Sequence, residues 1–575
     1  MTRVHRPLVP AGRADPAGLA ARVRNAVVVA LAVACVGAFG MPALAQDTGP
    51  TGPATPTTTP RPAPSTSPAT TPSSTPDATS SEPALPGPME VFAAVHAEAL
   101  AREEVGYVVI EPDGSVLAEH ESGVPRIPAS TMKVLTAAAV LDTLGPHKRL
   151  TTRVRSPQPP DADGVVASLV LVGAGDPTLT SQAYRTHIYP SRPATSIEEL
   201  ADRVVAAGVT RVTGDVIGDG SAFGSLDVAP GWPPHYLSEF DARRVPGLTI
   251  DAGLEVDTAQ VDGSQRLLGQ RVSRHPSLVA AWALGHALQE RGVVVDGSAT
   301  MAVVPPTTDH QVAWVASPAL DEQLQFMLER SDNNLADTLV RTAGLRAEGM
   351  GTWSAAGRAV QSAMEDLAAD TDGLVVDDGS GLSRFDRVTP LALAQVDLGL
   401  YDQFGASWSD WLSTAGVDGT FEGRLVGTEG QGRFHGKSGT LDDVKARSGH
   451  VVADDGSHLH MAVIGNELSD GDRWKVIVMA DDLVLAMLDE LDGCTRVPRG
   501  TGPDAPDDSE TPSESAPDDA PGDASDDAPG EASDDASDGA DATANSSPAA
   551  TPTEVDFPSV PLADTSAWTR VCDIP

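Results

Sequence analysis

The stretch Pro128-Ala129-Ser130-Thr131-Met132-Lys133-Val134-Leu135-Thr136-Ala137-Ala138-Ala139-Val140-Leu141 places a polar pair at the start of a run of small and aliphatic residues. The run predicts a buried helix, and Ser130 and Lys133 lie three positions apart, on one face of it. A Ser hydroxyl is a poor nucleophile at neutral pH, and Lys can serve as its base when burial or a nearby cation lowers the amine's pKa. The stretch therefore predicts a nucleophile beside its base.

A Ser-x-x-Lys pair alone also fits an ordinary solvated helix face, so the background of the chain matters. Of its 39 basic residues only five are lysines, namely Lys133, Lys148, Lys437, Lys445 and Lys475. Arginine carries nearly all of the general positive charge, which favours a special use of the remaining amines, because Lys can lose its proton and Arg cannot. Only Lys133 has a Ser three positions before it.

Composition limits the classes of function. The chain has 575 residues, 41% of them hydrophobic, which is enough for more than one core, while 47 Pro and 54 Gly indicate parts that do not fold. A net charge of −42 argues against a nucleic-acid binder. The sequence contains no metal-ligand cluster and no phosphate-binding loop, so we expect no metal and no cofactor. It gives no indication of an oligomeric state.

The N-terminal region has the pattern of an export signal. Residues 1–25 are rich in Arg, residues 26–39 are apolar, and Ala43-Leu44-Ala45 offers a small-residue cleavage site before Gln46. Because the positive region is long, an uncleaved membrane anchor is the alternative. Residues 46–88 are a Pro/Thr/Ser-rich spacer. We therefore expect an exported protein of the cell envelope or the extracellular space.

The C-terminal region divides into two parts. Residues 495–556 contain Asp, Ala, Pro, Ser and Gly in excess and predict a disordered acidic tail. Residues 557–575 are apolar enough to pack back on the body. Cys494 and Cys572 are the two cysteines of the exported part. In an oxidising compartment we expect them to form a disulfide that ties this segment back, the alternative being two unpaired thiols.

Two further motifs follow Ser130-x-x-Lys133 in order, Ser331-Asp332-Asn333 and Lys437-Ser438-Gly439. The three together resemble the motifs of penicillin-binding proteins and class A β-lactamases. The 201 positions between Ser130 and Ser331 resemble the class C low-molecular-mass penicillin-binding proteins, the D-alanyl-D-alanine carboxypeptidase/endopeptidase family. The stretches 173–179, 214–215, 229–232 and 378–384 are similar to that family as well.

The resemblance implies an α+β fold of the transpeptidase and β-lactamase type, a mainly antiparallel sheet between helices. Two small nested domains would interrupt it after the Ser-x-x-Lys helix. In this scheme residues 89–149 and 305–494 form the catalytic domain. Residues 150–304, called the insert below, form the nested domains, and their short strands and turns are numerous enough for separate folding.

The resemblance also implies the chemistry of a serine-type D-Ala-D-Ala carboxypeptidase, with possible DD-endopeptidase action, on peptidoglycan stem peptides, and acylation by β-lactam antibiotics. Ser130 would be the nucleophile and Lys133 the base, with Lys437 lowering the pKa of Lys133 by like-charge repulsion. The remaining residues share binding and proton transfer: Ser331 would relay a proton, Asn333 would bind the substrate backbone, and the backbone N–H groups of Ser130 and Thr440 would hold the oxyanion. Substrate would also contact Ser438, Gly439, Thr440, Arg384, Asp219 and Phe223, the last three near the diamino acid of the stem.

Two alternatives remain open from the sequence. A β-lactamase would need a deacylating carboxylate, and the chain lacks the Glu-x-x-Leu-Asn pattern of class A. A non-catalytic scaffold that binds the cell wall could keep the fold, but it would have little use for two lysines at the motifs.

Overall fold

The computed structural model describes residues 85–238, 240–261, 264–304, 310–498 and 568–572. The predicted export signal at 1–45, nearly all of the spacer at 46–88, and most of the tail and C-terminal segment lie outside the described residues. None of the described helices is long and apolar enough to cross a membrane. The described residues from 85 onward fall within one compact unit.

Helices make up the larger share of the regular structure. In the described residues they are α1 Pro88–Val95, α2 Ala97–Leu100, α3 Met132–Leu144, α4 Gln182–His187, α5 Ile197–Ala206, α6 Pro276–Glu290, α7 Leu320–Arg330, α8 Asn333–Glu348, α9 Trp353–Asp366, α10 Pro390–Phe404, α11 Ala406–Trp411 and α12 Asp470–Leu491.

A six-stranded antiparallel sheet, the catalytic sheet, has the order β15-β16-β17-β18-β1-β2. Its strands are β1 Val105–Ile110, β2 Val116–His120, β15 Ser413–Thr414, β16 Phe434–Leu441, β17 Val444–Val452 and β18 His458–Gly465. Side chains of β1 alternate between two cores, because successive residues of a strand face opposite sides. Val108 and Ile110 pack with α3, α8 and α10, whereas Val109 packs with α12. The sheet between helices that the sequence predicts is confirmed.

A second sheet, the insert sheet, has the order β13-β9-β5-β3-β14 and is covered by α5 and α6 around a separate core. Its edge strand β14 pairs with β3, although the sequence scheme assigned residues 310–319 to the catalytic domain, so the sheet extends beyond the bounds expected for the insert. Its strands are β3 Arg149–Ser156, β5 Leu169–Val172, β9 Val216–Asp219, β13 Ala299–Met301 and β14 His310–Ala319. Small sheets complete the insert, formed by β4 Val165–Val166, β6 Leu179–Thr180, β7 Thr195–Ser196, β8 Arg211–Val212, β10 Leu254–Val261, β11 Ser264–Val272 and β12 Val294–Val295.

A two-stranded ribbon at the C-terminus joins β19 Cys494–Pro498 to β20 Trp568–Cys572. Cys494 and Cys572 form a disulfide across it. The sequence predicted that the acidic tail begins at residue 495, but residues 495–498 belong to β19.

Candidate active site

Ser130 lies in a single 3-10 turn, residues 129–131, that leads directly into α3. Ala129 has a φ of 48°, a left-handed conformation that is uncommon for a residue with a β-carbon. The turn therefore sets the direction of the nucleophile before the helix begins. One turn further along α3, Lys133 Nζ lies 3.0 Å from Ser130 Oγ.

Lys133 is fully buried and has two further partners. Its Nζ donates to Asn333 Oδ1 at 2.8 Å and to the carbonyl of Ser380 at 2.7 Å. Burial lowers the pKa of Lys133 from 10.5 to about 8, although the nearby carboxylates of Asp337 and Asp378 oppose this effect. The amine therefore loses its proton far more readily than an exposed lysine does.

The Ser331-Asp332-Asn333 turn lies at the junction of α7 and α8. Ser331 ends α7 in the left-handed conformation, with φ 57° and ψ 37°. Asp332 is the N-cap of α8, and its carboxylate accepts from Leu335 N at 2.9 Å. Asn333 Nδ2 donates to the carbonyl of Asp241, in the insert, at 3.1 Å. Ser331 and Asn333 thus face the nucleophile from a turn between two buried helices.

Strand β16 brings the third motif beside the nucleophile turn. A β-carbon on Gly439 would come within 2.7 Å of the carbonyl of Pro128, so only glycine permits this close approach. Lys437 is fully buried and its Nζ donates to the carbonyl of Ser438 at 2.8 Å. Ser438 Oγ donates to Thr420 Oγ1 at 2.9 Å.

Burial lowers the pKa of both lysines of the site. Burial, followed by repulsion from Lys133, holds the pKa of Lys437 well below its usual range. Burial is the main cause of the low pKa of Lys133. Burial is thus the main cause at both amines, and the repulsion between them is a secondary cause of the low pKa of Lys437.

A cleft of about 410 Å³ opens over these motifs. It brings together Ser130, Ser331, Asn333 and Thr440, which come from three separate regions of the sequence. The other lining residues are His235, Tyr236 and Asp241 of the insert together with Gly381, Leu382, Leu441, Asp442 and Arg473.

Asp219 and Phe223, expected near the stem's diamino acid, do not line this cleft. The Asp219 carboxylate accepts from the backbone N–H groups of Ser221 at 2.9 Å and Val304 at 3.0 Å, and so closes a turn. Phe223 is buried with its ring against the guanidinium of Arg341. Both side chains therefore have contacts within the protein, and their role as substrate contacts stays a prediction.

Arg384 lies at the edge of the cleft and does not line it. Its Nη1 pairs with Asp443 Oδ1 at 2.6 Å, and its guanidinium also contacts Tyr236. Since Tyr236 does line the cleft, the contact between Arg384 and substrate stays a prediction. Substrate would have to share or displace the ion pair with Asp443.

The contribution of residues 234–242 to the cleft was not predicted from the sequence. His235 and Tyr236 lie in a short 3-10 helix, Pro234–Leu237, that begins soon after the Ala229–Trp232 stretch. That stretch was a family match without an assigned role. The position of this stretch just before His235 and Tyr236 was the feature of the sequence that could have indicated their place in the cleft.

Among the described residues one group of side chains has the composition of a metal site, Asp397, His450 and His460. All three are fully buried, and each ring Nδ1 already hydrogen bonds to Asp397 Oδ2, at 3.0 Å from His450 and 2.7 Å from His460. Trp408 Nε1 donates to Asp397 Oδ1 at 2.8 Å. The group satisfies its own hydrogen bonds on the helix-covered side of the catalytic sheet, and it does not line the cleft.

A helix-borne serine beside a buried lysine, a Ser-x-Asn turn and a Lys-Ser-Gly strand meeting at one cleft define the class of penicillin-recognising serine enzymes. A sequence profile of the D-Ala-D-Ala carboxypeptidase 3 (S13) family matches residues 89–268 and 254–484. The chain belongs to this family of serine-type carboxypeptidases.

Relatives and solved structures agree with that assignment. A D-alanyl-D-alanine carboxypeptidase from Actinomadura sp. (strain R39) is 30% identical over 451 residues, covering 66% of this chain and 80% of that protein. Carboxypeptidase DacB from Mycolicibacterium smegmatis is 32% identical over 406 residues, covering 68% and 82%. The crystal structure of penicillin binding protein 4 (dacB) from Haemophilus influenzae superposes with a TM-score of 0.56 at 20% identity, covering 68% of this chain and 98% of that chain.

Proposed function

We propose that the chain removes the terminal D-Ala from peptidoglycan stem peptides through an acyl-enzyme on Ser130. The observation that carries the proposal is the position of Lys133 Nζ, buried and 3.0 Å from Ser130 Oγ. A neutral amine there takes the hydroxyl proton as Oγ attacks the carbonyl of the scissile bond. Backbone N–H groups of Ser130 and Thr440 stabilise the negative charge on the carbonyl oxygen.

Collapse of the tetrahedral intermediate breaks the C–N bond. The departing amine takes a proton relayed through Ser331, which lines the cleft beside Ser130. Asn333 orients Lys133 through the hydrogen bond at 2.8 Å and presents its amide toward the substrate backbone. Water then attacks the ester, returns the proton through Lys133, and releases the shortened peptide.

Lys437 and Ser438 supply the preference for a free C-terminal carboxylate. Burial holds the pKa of Lys437 well below its usual range. A bound carboxylate favours the ammonium form, so substrate binding draws a proton onto Lys437 and forms a charge-assisted hydrogen bond. A β-lactam, which also carries a carboxylate, acylates Ser130 by the same route. A cross-linked dimer that ends in a D-amino acid is the corresponding endopeptidase substrate.

The site implies an exported enzyme, since its substrate is the cell wall. The Arg-rich N-terminus, the apolar run and the Ala43-Leu44-Ala45 site support export with cleavage near Ala45, and an anchor that stays uncleaved is the alternative. The disulfide at Cys494 and Cys572 fits an oxidising compartment.

Labelling with a fluorescent penicillin tests the proposal. The exported form, residues 46–575, should be labelled and should release D-Ala from a pentapeptide stem. Ser130→Ala should reduce both signals below roughly a thousandth. Ser354→Ala, at an exposed serine of α9, is the matched control and should behave as the parent protein does. A folded parent protein that takes no label and releases no D-Ala would overturn the proposal in favour of a wall-binding scaffold.

A second substrate separates the two peptidase activities. Release of monomer from a cross-linked dimer, measured by mass analysis beside D-Ala release, gives the balance between endopeptidase and carboxypeptidase action. Rapid hydrolysis of the penicillin itself would point to a β-lactamase.

A further inference from the structure

The three residues that follow Ser331 each form a hydrogen bond with a residue of the insert. Arg192 Nε donates to Asp332 Oδ2 at 3.0 Å, and Arg192 Nη2 reaches Asn334 Oδ1 at 3.4 Å. Asn333 is held by the carbonyl of Asp241. The turn that places Ser331 and Asn333 beside Lys133 is thus braced by residues 92 to 142 positions away in sequence.

Arg192 is itself fixed by the Gly173–Leu179 stretch. This stretch is similar to the family, but none of its residues has a role in the reaction proposed above. Arg192 Nη1 donates to the carbonyl of Pro177 at 2.9 Å, and the Arg192 side chain is 1% exposed. Asp176 orients that carbonyl, because its carboxylate accepts from Thr178 N at 2.8 Å and from Thr195 Oγ1 at 2.9 Å. The guanidinium therefore has a rigid support on one side and the catalytic turn on the other.

The turn needs such support. Ser331 carries a β-carbon in the left-handed region, which costs roughly 1–2 kcal/mol and persists only where the surroundings impose it. Asp332 can supply both restraints at once, since one carboxylate oxygen caps α8 at Leu335 N and the other accepts from Arg192. The rigid guanidinium of Arg192 suits this task, because its three nitrogen atoms reach Asp332, Pro177 and Asn334 at the same time, whereas Lys has a single amine.

We infer that Arg192 is a positioning residue for the acyl-transfer reaction, acting through Asp332 to hold Ser331 and Asn333 in register with Ser130 and Lys133. The inference rests on the proposed function. It gives the Gly173–Leu179 stretch a role in catalysis that needs no contact with substrate. The insert is then part of the catalytic apparatus.

The test measures β-lactam acylation at increasing drug concentration, which separates the dissociation constant of the pre-covalent complex from the rate constant of the acylation step. Arg192→Gln should slow the acylation step about 10- to 100-fold, the effect of displacing a catalytic group by about 1 Å. The dissociation constant should change less than about threefold, since the variant leaves Lys437 and Ser438 in place.

Arg185→Gln is the matched control. Arg185 belongs to the same insert and pairs with Glu198 at 2.8 Å, but it makes no contact with the Ser331 turn. It should acylate within about twofold of the parent rate at a comparable loss of thermal stability. The double variant Arg192→Gln/Asp332→Asn should be no slower than Asp332→Asn alone, because the two residues act as a unit.

Each outcome is decisive. A folded Arg192→Gln protein that acylates as fast as Arg185→Gln, or effects of Arg192 and Asp332 that multiply independently, would overturn the inference and leave the proposed function intact. A parent protein without acylation would overturn both. If Arg192→Gln does not fold, Arg192→Lys replaces it, and the same loss in the acylation step is expected because one ammonium cannot serve both Pro177 and Asp332.

Discussion

Lys133 determines how the reaction should depend on pH. Its amine is fully buried among Ser130, Asn333 and Ser380, and the carboxylates of Asp337 and Asp378 are close enough to affect its charge. Burial destabilises the ammonium form more than these carboxylates stabilise it, so the pKa falls to about 8. A base with this pKa is partly neutral at physiological pH, which is the condition for general-base catalysis.

We therefore predict that the rate constant for acylation by a β-lactam rises with pH through about 8 and then levels off. The sign follows from the role, because only the neutral amine can accept the proton of Ser130. Lys133→Arg keeps the positive charge but cannot deprotonate, and it should lose about 10²- to 10⁴-fold in rate at every pH. Stopped-flow or quench measurements between pH 6 and 10 check both statements. A rate that is flat or falls across this range contradicts the role of Lys133 as base.

Loop 377–384 lies so close to the turn that carries Ser130 that there is no room for a side chain at Gly381. Gly381 has a φ of 81°, and a β-carbon there would come within 1.8 Å of the carbonyl of Ala129. Asp378 organises the loop from inside by accepting from the backbone N–H groups of Ser380 at 2.9 Å and Gly381 at 2.6 Å. The loop thereby delivers the Ser380 carbonyl to Lys133.

Gly381→Ala should therefore lower the free energy of unfolding by at least about 3 kcal/mol and slow acylation, because the clash moves the turn that carries Ser130. Gly349→Ala is the matched control. Gly349 has a similar φ of 79° with no atom within 4 Å of the added carbon, so it should lose only about 1 kcal/mol and acylate normally. Denaturant unfolding and penicillin labelling measure the two effects. Equal losses in the two variants would show that backbone strain alone is responsible.

Local sequence predicted the helix that follows Ser130. Its run of small and aliphatic residues is a property of neighbouring residues, and the structure has α3 there. The role of residues 234–242 could not be read in the same way. Their approach to the cleft depends on how the insert packs, and no periodicity within those residues encodes it.

Residue types predicted the motifs but not their partners. The scarcity of lysine drew attention to Lys133 and Lys437, yet the burial that controls both pKa values is a property of the packed structure. Packing likewise determines the surroundings of Asp219 and Phe223. A resemblance over a short stretch fixes their sequence position, while backbone N–H groups and Arg341 determine where their side chains lie.

At the scale of the whole molecule, buried polar contacts connect the insert to the catalytic body. Arg341 of α8 is fully buried and donates to the carbonyls of Gly351 at 2.7 Å and Val245 at 2.6 Å, and also to that of Phe223. Trp232 Nε1 donates to Asp378 Oδ2 at 2.7 Å. Separating the two regions would leave these groups buried without partners or expose them with their apolar neighbours, and each such loss costs about 1–3 kcal/mol.

We therefore predict that residues 85–498 unfold in one cooperative transition, although the insert has a core of its own. Calorimetry should give a single peak, and tryptophan fluorescence should change at the same temperature, since Trp314 reports on the sheet of the insert, to which β14 belongs, and Trp408 on the catalytic body. Arg341→Ala removes the donors that join the regions and should separate the transition into two, with the insert retaining its secondary structure after the catalytic body has lost tertiary signal, or the reverse. Arg358→Ala, at an exposed Arg on the neighbouring helix α9, should keep the single transition. Two transitions in the parent protein would contradict this prediction and would mean that the insert is an independent domain. The hydrogen bond from Arg192 to Asp332 would then join two domains that unfold separately.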